Sequence, residues 1–305
     1  MPDSHPYQRR QRLHNKRQRL YVRSQIISRM RAFFHQAGFL EVETPQRIPA
    51  PAPEQYVDPE PSGSWFMAAS PELQMKQLLC AGYDKIFWLG HCFRKGERGP
   101  HHLPEFTMLE WYRSQAGLED LMRDCEQLLC HAAADIALPE PLTLPTPFAR
   151  TTVDAAFRQY AGWSPGPNPD QHRFDMDLVT KVEPALPTNA PLFLTHYPRS
   201  MASLAQLSPD NPDTALRFEL YWGGLELANA YAELTDPQEQ RQRFQEASHQ
   251  RLQDGKPAMP LDEHFLRQLD LGMPTAAGIA LGVDRLVMCL TGATSIDEVV
   301  AFPDP

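Results

Sequence analysis

Glu105-Phe106-Thr107-Met108-Leu109-Glu110-Trp111-Tyr112 alternates with a period of two, the mark of a strand whose faces differ. Phe106, Met108, Glu110 and Tyr112 share one face; Glu105, Thr107, Leu109 and Trp111 share the other. A carboxylate and a phenol beside an aromatic ring and a thioether suit a cationic, aliphatic ligand such as an amine. Working outward, the apolar run Ile86–Phe93 predicts a preceding strand, and Gly117–Ala134 an amphipathic helix. Helical spacing over residues 18–37 stops at Gly38, and Phe39–Thr44 predicts a short strand ended by Pro45. Residues 46–64 read as loop, Pro71–Ala81 as helix, Leu192–His196 as strand and Glu239–Asp254 as a charged helix. Proline-rich stretches at 137–147 and 164–169 flank or interrupt a small helical insert at about 150–190. Helices and hairpins in this order predict an α+β fold, with residues 1–305 forming one domain.

Composition narrows the function classes. At 42% hydrophobic and 22% charged residues, the 305-residue chain is globular, and no apolar run is long enough to span a membrane. The five cysteines (Cys80, Cys92, Cys125, Cys130 and Cys289) include no CxxC pair, which excludes a zinc site or a disulfide framework and predicts a cytoplasmic protein. The net charge is −9, but residues 1–31 carry nine basic side chains against Asp3 alone. The basic N-terminal arm, 1–17, is therefore set against an acidic body, which argues against a broad nucleic-acid-binding surface.

Two further stretches carry chemistry. Gly223-Gly224 predicts a two-residue turn in a hairpin over 217–234 that pairs Tyr221 with Glu226 and puts Glu219 diagonally on the same face. Two carboxylates so placed repel unless a cation joins them, and Mg²⁺ shared with phosphates is the usual answer. Asn229, Tyr231 and Glu233 share a parity opposite to that of Glu226, so one cavity holding all four needs a bulge near Ala228. In Gly278–Arg285, small residues at 278, 280 and 282 leave one strand face bare for a flat ligand. Asp284 is the expected helix cap, and Arg285 stands at the mouth.

Taken together, these stretches resemble the class II aminoacyl-tRNA synthetase catalytic domain, in its lysyl branch. Phe93-Arg94 with His102–Tyr112 is similar to that family's motif 2, Gly278–Arg285 to motif 3 and Gly38–Pro45 to motif 1. Ser70-Pro71-Glu72-Leu73 and Phe218-Glu219…Glu226-Leu227…Asn229…Glu233-Leu234 also match the lysyl branch, so the resemblance runs from about Arg17 to Phe302. It implies an antiparallel sheet flanked by helices, and ATP and Mg²⁺ as cofactors. Arg94 and Arg285 would be the catalytic cations, Arg94 on the α-phosphate and substrate carboxylate, Arg285 with His102 on the outer phosphates. Phe106 would stack on adenine, Leu227 and Gly282 would line the nucleotide site, and Glu219 and Glu226 would hold the metal. Glu72, with Ser70 and Pro71, would receive the amine nearer the substrate carboxylate. Glu110, Tyr112 and Glu233 would receive the distal ammonium, with Asn229, Tyr231 and Ala280 completing the pocket.

Fewer than twenty residues precede the first catalytic helix, too few for the anticodon-binding barrel of a lysyl-tRNA synthetase. The compact form is similar to the elongation factor P–(R)-β-lysine ligase group, which passes its aminoacyl adenylate to a protein lysine. Ala280, where the synthetases have glycine, points the same way. The resemblance thus implies (R)-β-lysine or lysine as substrate, elongation factor P as acceptor, no tRNA and a homodimer formed through motif 1. The alternatives are a truncated synthetase-like enzyme using L-lysine and a non-catalytic binding module. Lys95-Gly96, Gly99-Pro100-His101, Leu103 and Ala230 depart from the usual motifs.

Overall fold

The computed structural model describes residues 6–303. Helix α1 spans Pro6–Gln36, so the arm beyond residues 1–5, which with Asp3 lie outside the described residues, continues the first helix. Its early turns hold Arg, Gln and Lys, good helix formers with no apolar stripe, which is why periodicity alone starts the helix at 18. They lean on the chain's last segment: Arg9 lies over the Phe302 ring at 5.6 Å, Lys16 donates to the Val300 carbonyl, and Arg19 pairs with Glu298.

The strands that follow are β1 (Leu40–Glu41), β2 (Arg47–Ile48), β3 (Pro61–Ser62), β4 (Trp65–Met67), β5 (Lys85–Phe93), β6 (Glu105–Ser114), β7 (Ala149–Thr152), β8 (Leu192–Pro198), β9 (Thr214–Trp222), β10 (Leu225–Ala232) and β11 (Ala276–Gly282). Between them run helices α2 (Glu72–Cys80), α3 (Leu118–Ala132), α4 (Val153–Ala156), α5 (Gln171–Asp177), α6 (Pro237–Gln253) and α7 (Glu263–Leu271), with α8 (Val283–Thr291) last. Eight strands form an open sheet in the order β1-β5-β6-β11-β10-β9-β8-β7, and no closed barrel occurs among the described residues. The six central strands are antiparallel, as expected, but the edge strands β1 and β7 run parallel to β5 and β8. Each parallel neighbour is reached by a long crossover, one carrying α2 and the three-stranded sheet β2–β4, the other α4 and α5. The loop expected over 46–64 thus holds β2 and β3.

One sheet face is covered by three helices. Ile26, Met30 and Phe34 of α1, Leu121 and Leu128 of α3, and Leu286 and Val287 of α8 pack on Phe87, Leu109, Trp111, Leu220 and Ile279. Phe34 stacks on Phe87 at 4.8 Å, and each such fully buried side chain contributes about 1.5–3 kcal/mol. The opposite face is covered only at its two sides. Leu73, Phe265 and Leu269 of α2 and α7 close over Ile86, Met108 and Tyr112. Phe157 and Phe174 of the insert close over Leu192, Leu194 and Tyr221. Between these clusters the middle of the sheet faces a cleft.

Candidate active site

Cross-strand pairing sets the cleft floor. Side chains directly opposite in a sheet share a face, so the register makes one row of Trp88, Glu110, Ala280, Asn229, Glu219 and Leu194. A second row holds Ile86, Tyr112, Gly278, Tyr231 and Arg217. Glu226 pairs with Tyr221 across the Gly223-Gly224 turn, where both glycines have positive φ (64° and 76°). The register then shifts between Glu226 and Ala228, so the extra residue brings Glu226 onto the face of Asn229 and Tyr231. That bulge is the one parity demands. Leu227 corrects an expectation: its side chain lies in the core on the far face, so only its backbone is left for a nucleotide.

At the β6 side of the cleft, Glu110 is 2% exposed and accepts from Ser70 Oγ at 2.9 Å and Tyr112 Oη at 2.6 Å. Ser70 Oγ also accepts from the Glu72 amide at 3.0 Å, next to Pro71 at the start of α2. Burial, and secondly the Glu72 carboxylate, push the Glu110 carboxyl up to about 8. Glu233 lies just past β10, and burial raises it to about 7; its Oε1 has no hydrogen-bond partner. Gly278 makes room for this cluster, since a Cβ there would come within 2.2 Å of the Tyr112 ring and 2.4 Å of Glu233 Oε1.

At the anion end, the Arg94 guanidinium lies over the Phe106 ring at 5.1 Å, and its buried Nε has no partner. Arg285 donates to the Glu226 carbonyl at 2.9 Å and to His102 Nε2; burial first, and then the Arg285 charge, keep that imidazole neutral by lowering it to about 4. Gly282 leaves the backbone bare beside Arg285, with no atom closer than 3.8 Å to a Cβ built there. Asp284 corrects another expectation: the cap position belongs to Gly282, while Asp284 lies inside the first turn and accepts from the Thr107 amide at 2.7 Å and from Arg23.

The third group is acidic. Glu219 accepts from Arg217 at 2.6 Å and Tyr221 Oη at 2.7 Å, and from Tyr197 Oη at 2.5 Å. Glu226 is raised to about 7, first by burial and then by Glu219. A buried carboxylate raised by the negative charge of its neighbour is a fit for a divalent cation. Among the described residues no cluster of three His, Cys, Asp or Glu forms a complete metal site, so phosphate and water oxygens would supply the remaining ligands.

The register thus brings Glu110, Tyr112, Ala280, Asn229, Tyr231 and Glu219 onto one sheet face, and four residues that sequence reasoning missed lie beside them. Arg217 holds both Glu219 and, at 3.3 Å, Asn229; its parity with Glu219 was a usable signal. Tyr197 and Glu54 reach the cleft from β8 and from the 46–64 loop, without any local pattern to mark them. Lys76 of α2 is 1% exposed and contacts Glu72 Oε1 at 2.5 Å and Glu233 Oε2 at 2.6 Å. From Arg217, Glu219, Asn229 and Tyr231 a cavity of about 640 Å³ opens toward α5 and α6.

Residues 5–305 match the family described as tRNA synthetases class II (D, K and N). The curated relatives include the elongation factor P–(R)-β-lysine ligase of Proteus mirabilis, 38% identical over 307 residues, covering 93% of this chain and 94% of the relative. The enzyme of the same name from Edwardsiella ictaluri is 38% identical with the same coverage. With a family match over nearly its whole length and relatives this similar, the chain belongs to the class II tRNA synthetases of the D, K and N group and is a ligase.

Proposed function

We propose that this ligase uses ATP to activate (R)-β-lysine and passes the aminoacyl group to a lysine ε-amine of elongation factor P, in the cytoplasm and without tRNA. The observation that carries the reading is a pair of orphaned groups on one sheet face. A buried donor, Arg94 Nε, awaits an anion, and a buried acceptor, Glu233 Oε1, awaits a cation. A substrate with a carboxylate at one end and ammonium groups toward the other satisfies both. The names of the relatives supply the acceptor.

In this reading the substrate carboxylate oxygen bonds to the α-phosphorus of ATP as the bond to pyrophosphate breaks. The acceptor amine then attacks the activated carbonyl, loses a proton and displaces AMP. Arg94 lies where it can neutralise the carboxylate and α-phosphate as charge builds between them. Phe106 offers its ring to the adenine, and neutral His102 holds Arg285 toward the outer phosphates. Glu219 and Glu226 would hold Mg²⁺, which would supply charge neutralisation at the phosphates. Glu72 and Ser70 take the amine nearer the carboxylate, and Glu110, Tyr112 and Glu233 the distal ammonium. Tyr231 and Asn229 close the pocket, fixed by Arg217. The Ala280 methyl stands between Glu110 and Asn229, where a shape change worth about 1–3 kcal/mol can favour one amine position over another.

ATP–pyrophosphate exchange tests the activation step, and the mass of elongation factor P after incubation tests the transfer. Exchange at least tenfold stronger with (R)-β-lysine than with L-lysine, followed by one added β-lysyl mass, is expected. Stronger exchange with L-lysine would replace the substrate, and its absence with both in a folded protein would defeat the reading.

A further inference from the structure

Lys76 belongs to the amine pocket, yet nothing above gives it work. Its ammonium is buried between Glu72 and Glu233, the carboxylates assigned above to the two substrate amines, and touches each within 2.6 Å. Burying an ammonium is costly and returns little net stability even when paired, so stability alone is a weak reason for a lysine here. The groups around it have one sign. Glu72 lies on its own helix, Glu110 and Tyr112 on β6 and Glu233 beyond β10, with Glu54 of the 46–64 loop near Glu72 and Cys80 one turn along α2. Phe244 of α6 and Phe265, Leu266 and Leu269 of α7 pack in the same buried cluster as Leu73, Met75 and Leu79 of α2.

Counting charge gives the residue a purpose. With Glu54 facing the Arg94 and Arg217 cations, Glu72, Glu110 and Glu233 against Lys76 leave two excess negative charges when all are ionised, the complement of a substrate with two ammonium groups. Without the internal cation, three buried carboxylates would share the pocket, and like charges so close take up protons rather than stay ionised. A protonated carboxyl does not attract an ammonium. Glu110 at about 8 and Glu233 at about 7 show how near the pocket stands to that state even with Lys76 present.

We propose that Lys76 is a positioning residue whose fixed positive charge offsets the repulsion among the pocket carboxylates and holds Glu72 and Glu233 in place, so that the pocket accepts a diammonium amino acid at neutral pH. This rests on the substrate class proposed above. Its ammonium also tethers the two carboxylates, which suits a substrate whose amines are one carbon closer together than those of α-lysine.

The test is calorimetric binding of (R)-β-lysine from about pH 6 to pH 9 by wild type, Lys76→Met and Lys76→Arg. Lys76→Met is expected to bind at least tenfold more weakly near pH 6.5, a shift of about one pKa unit in its carboxylates, and to recover toward pH 9. Lys76→Arg should keep the wild-type profile. A uniform loss at every pH, or no change, would reduce Lys76 to packing and overturn the proposal. Should Lys76→Met not fold, Lys76→Met/Glu233→Gln restores the two-charge excess. It is expected to fold and to keep the wild-type pH midpoint at lower affinity; a midpoint moved upward would overturn the proposal. Wild type that binds β-lysine without pyrophosphate exchange would count against the function alone, and wild type that does not bind it would end both.

Discussion

Glu110 shows what a single buried carboxyl costs and provides. Ser70 and Tyr112 point their hydroxyls at it, yet burial keeps its proton on up to about pH 8 rather than the ordinary 4.5. Because the folded-state pKa lies above the unfolded one, its ionisation destabilises the fold progressively as pH rises from about 4.5 to 8. Glu110→Gln is therefore expected to raise the melting temperature at pH 8.5 by a few degrees and to leave it unchanged at pH 4. The same change should raise the KM for lysine or β-lysine about 100-fold or more, as expected when one partner of a buried charge pair is removed. Thermal melts at the two pH values and exchange kinetics check both. A second expectation concerns pH alone: amino-acid affinity should fall as pH drops below about 8, because protons then compete with the ammonium for Glu110. Strand parity revealed Glu110, Phe106 and Tyr112 from sequence because alternation is a local signal. Lys76 stayed hidden because a lysine on a short helix reads as solvated, and only the meeting of α2 with the end of β10 buries it.

At the level of elements, β11 works by what it lacks. Gly278 has an ordinary backbone conformation, so its glycine serves space rather than φ. Gly278→Ala would drive a methyl into Tyr112 and Glu233. The expected result is about 1–3 kcal/mol of overpacking, a melting temperature lower by about 2–4 °C, and a far larger loss in exchange than in stability. Equal losses, measured side by side by calorimetry and kinetics, would contradict a role in shaping the pocket. The β9–β10 hairpin was legible because two adjacent glycines fix the turn, the turn fixes the register, and parity then requires the bulge. Helix α7 was not, since Glu263–Leu271 follows a polar, proline-marked stretch and its apolar face gains meaning only against α2. The parallel edges were equally invisible, because crossover direction is decided by packing far along the chain.

Across the whole molecule, the uncovered band between the two side clusters is what makes a binding cleft of an otherwise ordinary layered fold. The early turns of α1 stand apart from it, held to the 296–302 segment by exposed contacts such as Arg19–Glu298. Deleting residues 1–16 should accordingly change the melting temperature by no more than about 2–4 °C and leave pyrophosphate exchange within about twofold. A larger kinetic effect would show that the basic arm serves the reaction. No helix among the described residues is long and apolar enough to cross a membrane. The homodimer that the family resemblance implies through residues 38–45 would bury the half-exposed Leu40 of an edge strand, and light scattering is then expected to give twice 34.7 kDa. The additional residue in β10 also reaches beyond its own strand. It works as a phase shifter, letting Glu226 on one side and Asn229, Tyr231 and Glu233 on the other answer to separate rhythms while facing one cleft. Under the function proposed above, a change of side chain after the bulge would alter the amino-acid end without re-aiming Glu226, so that energy source and cargo could be tuned on independent dials.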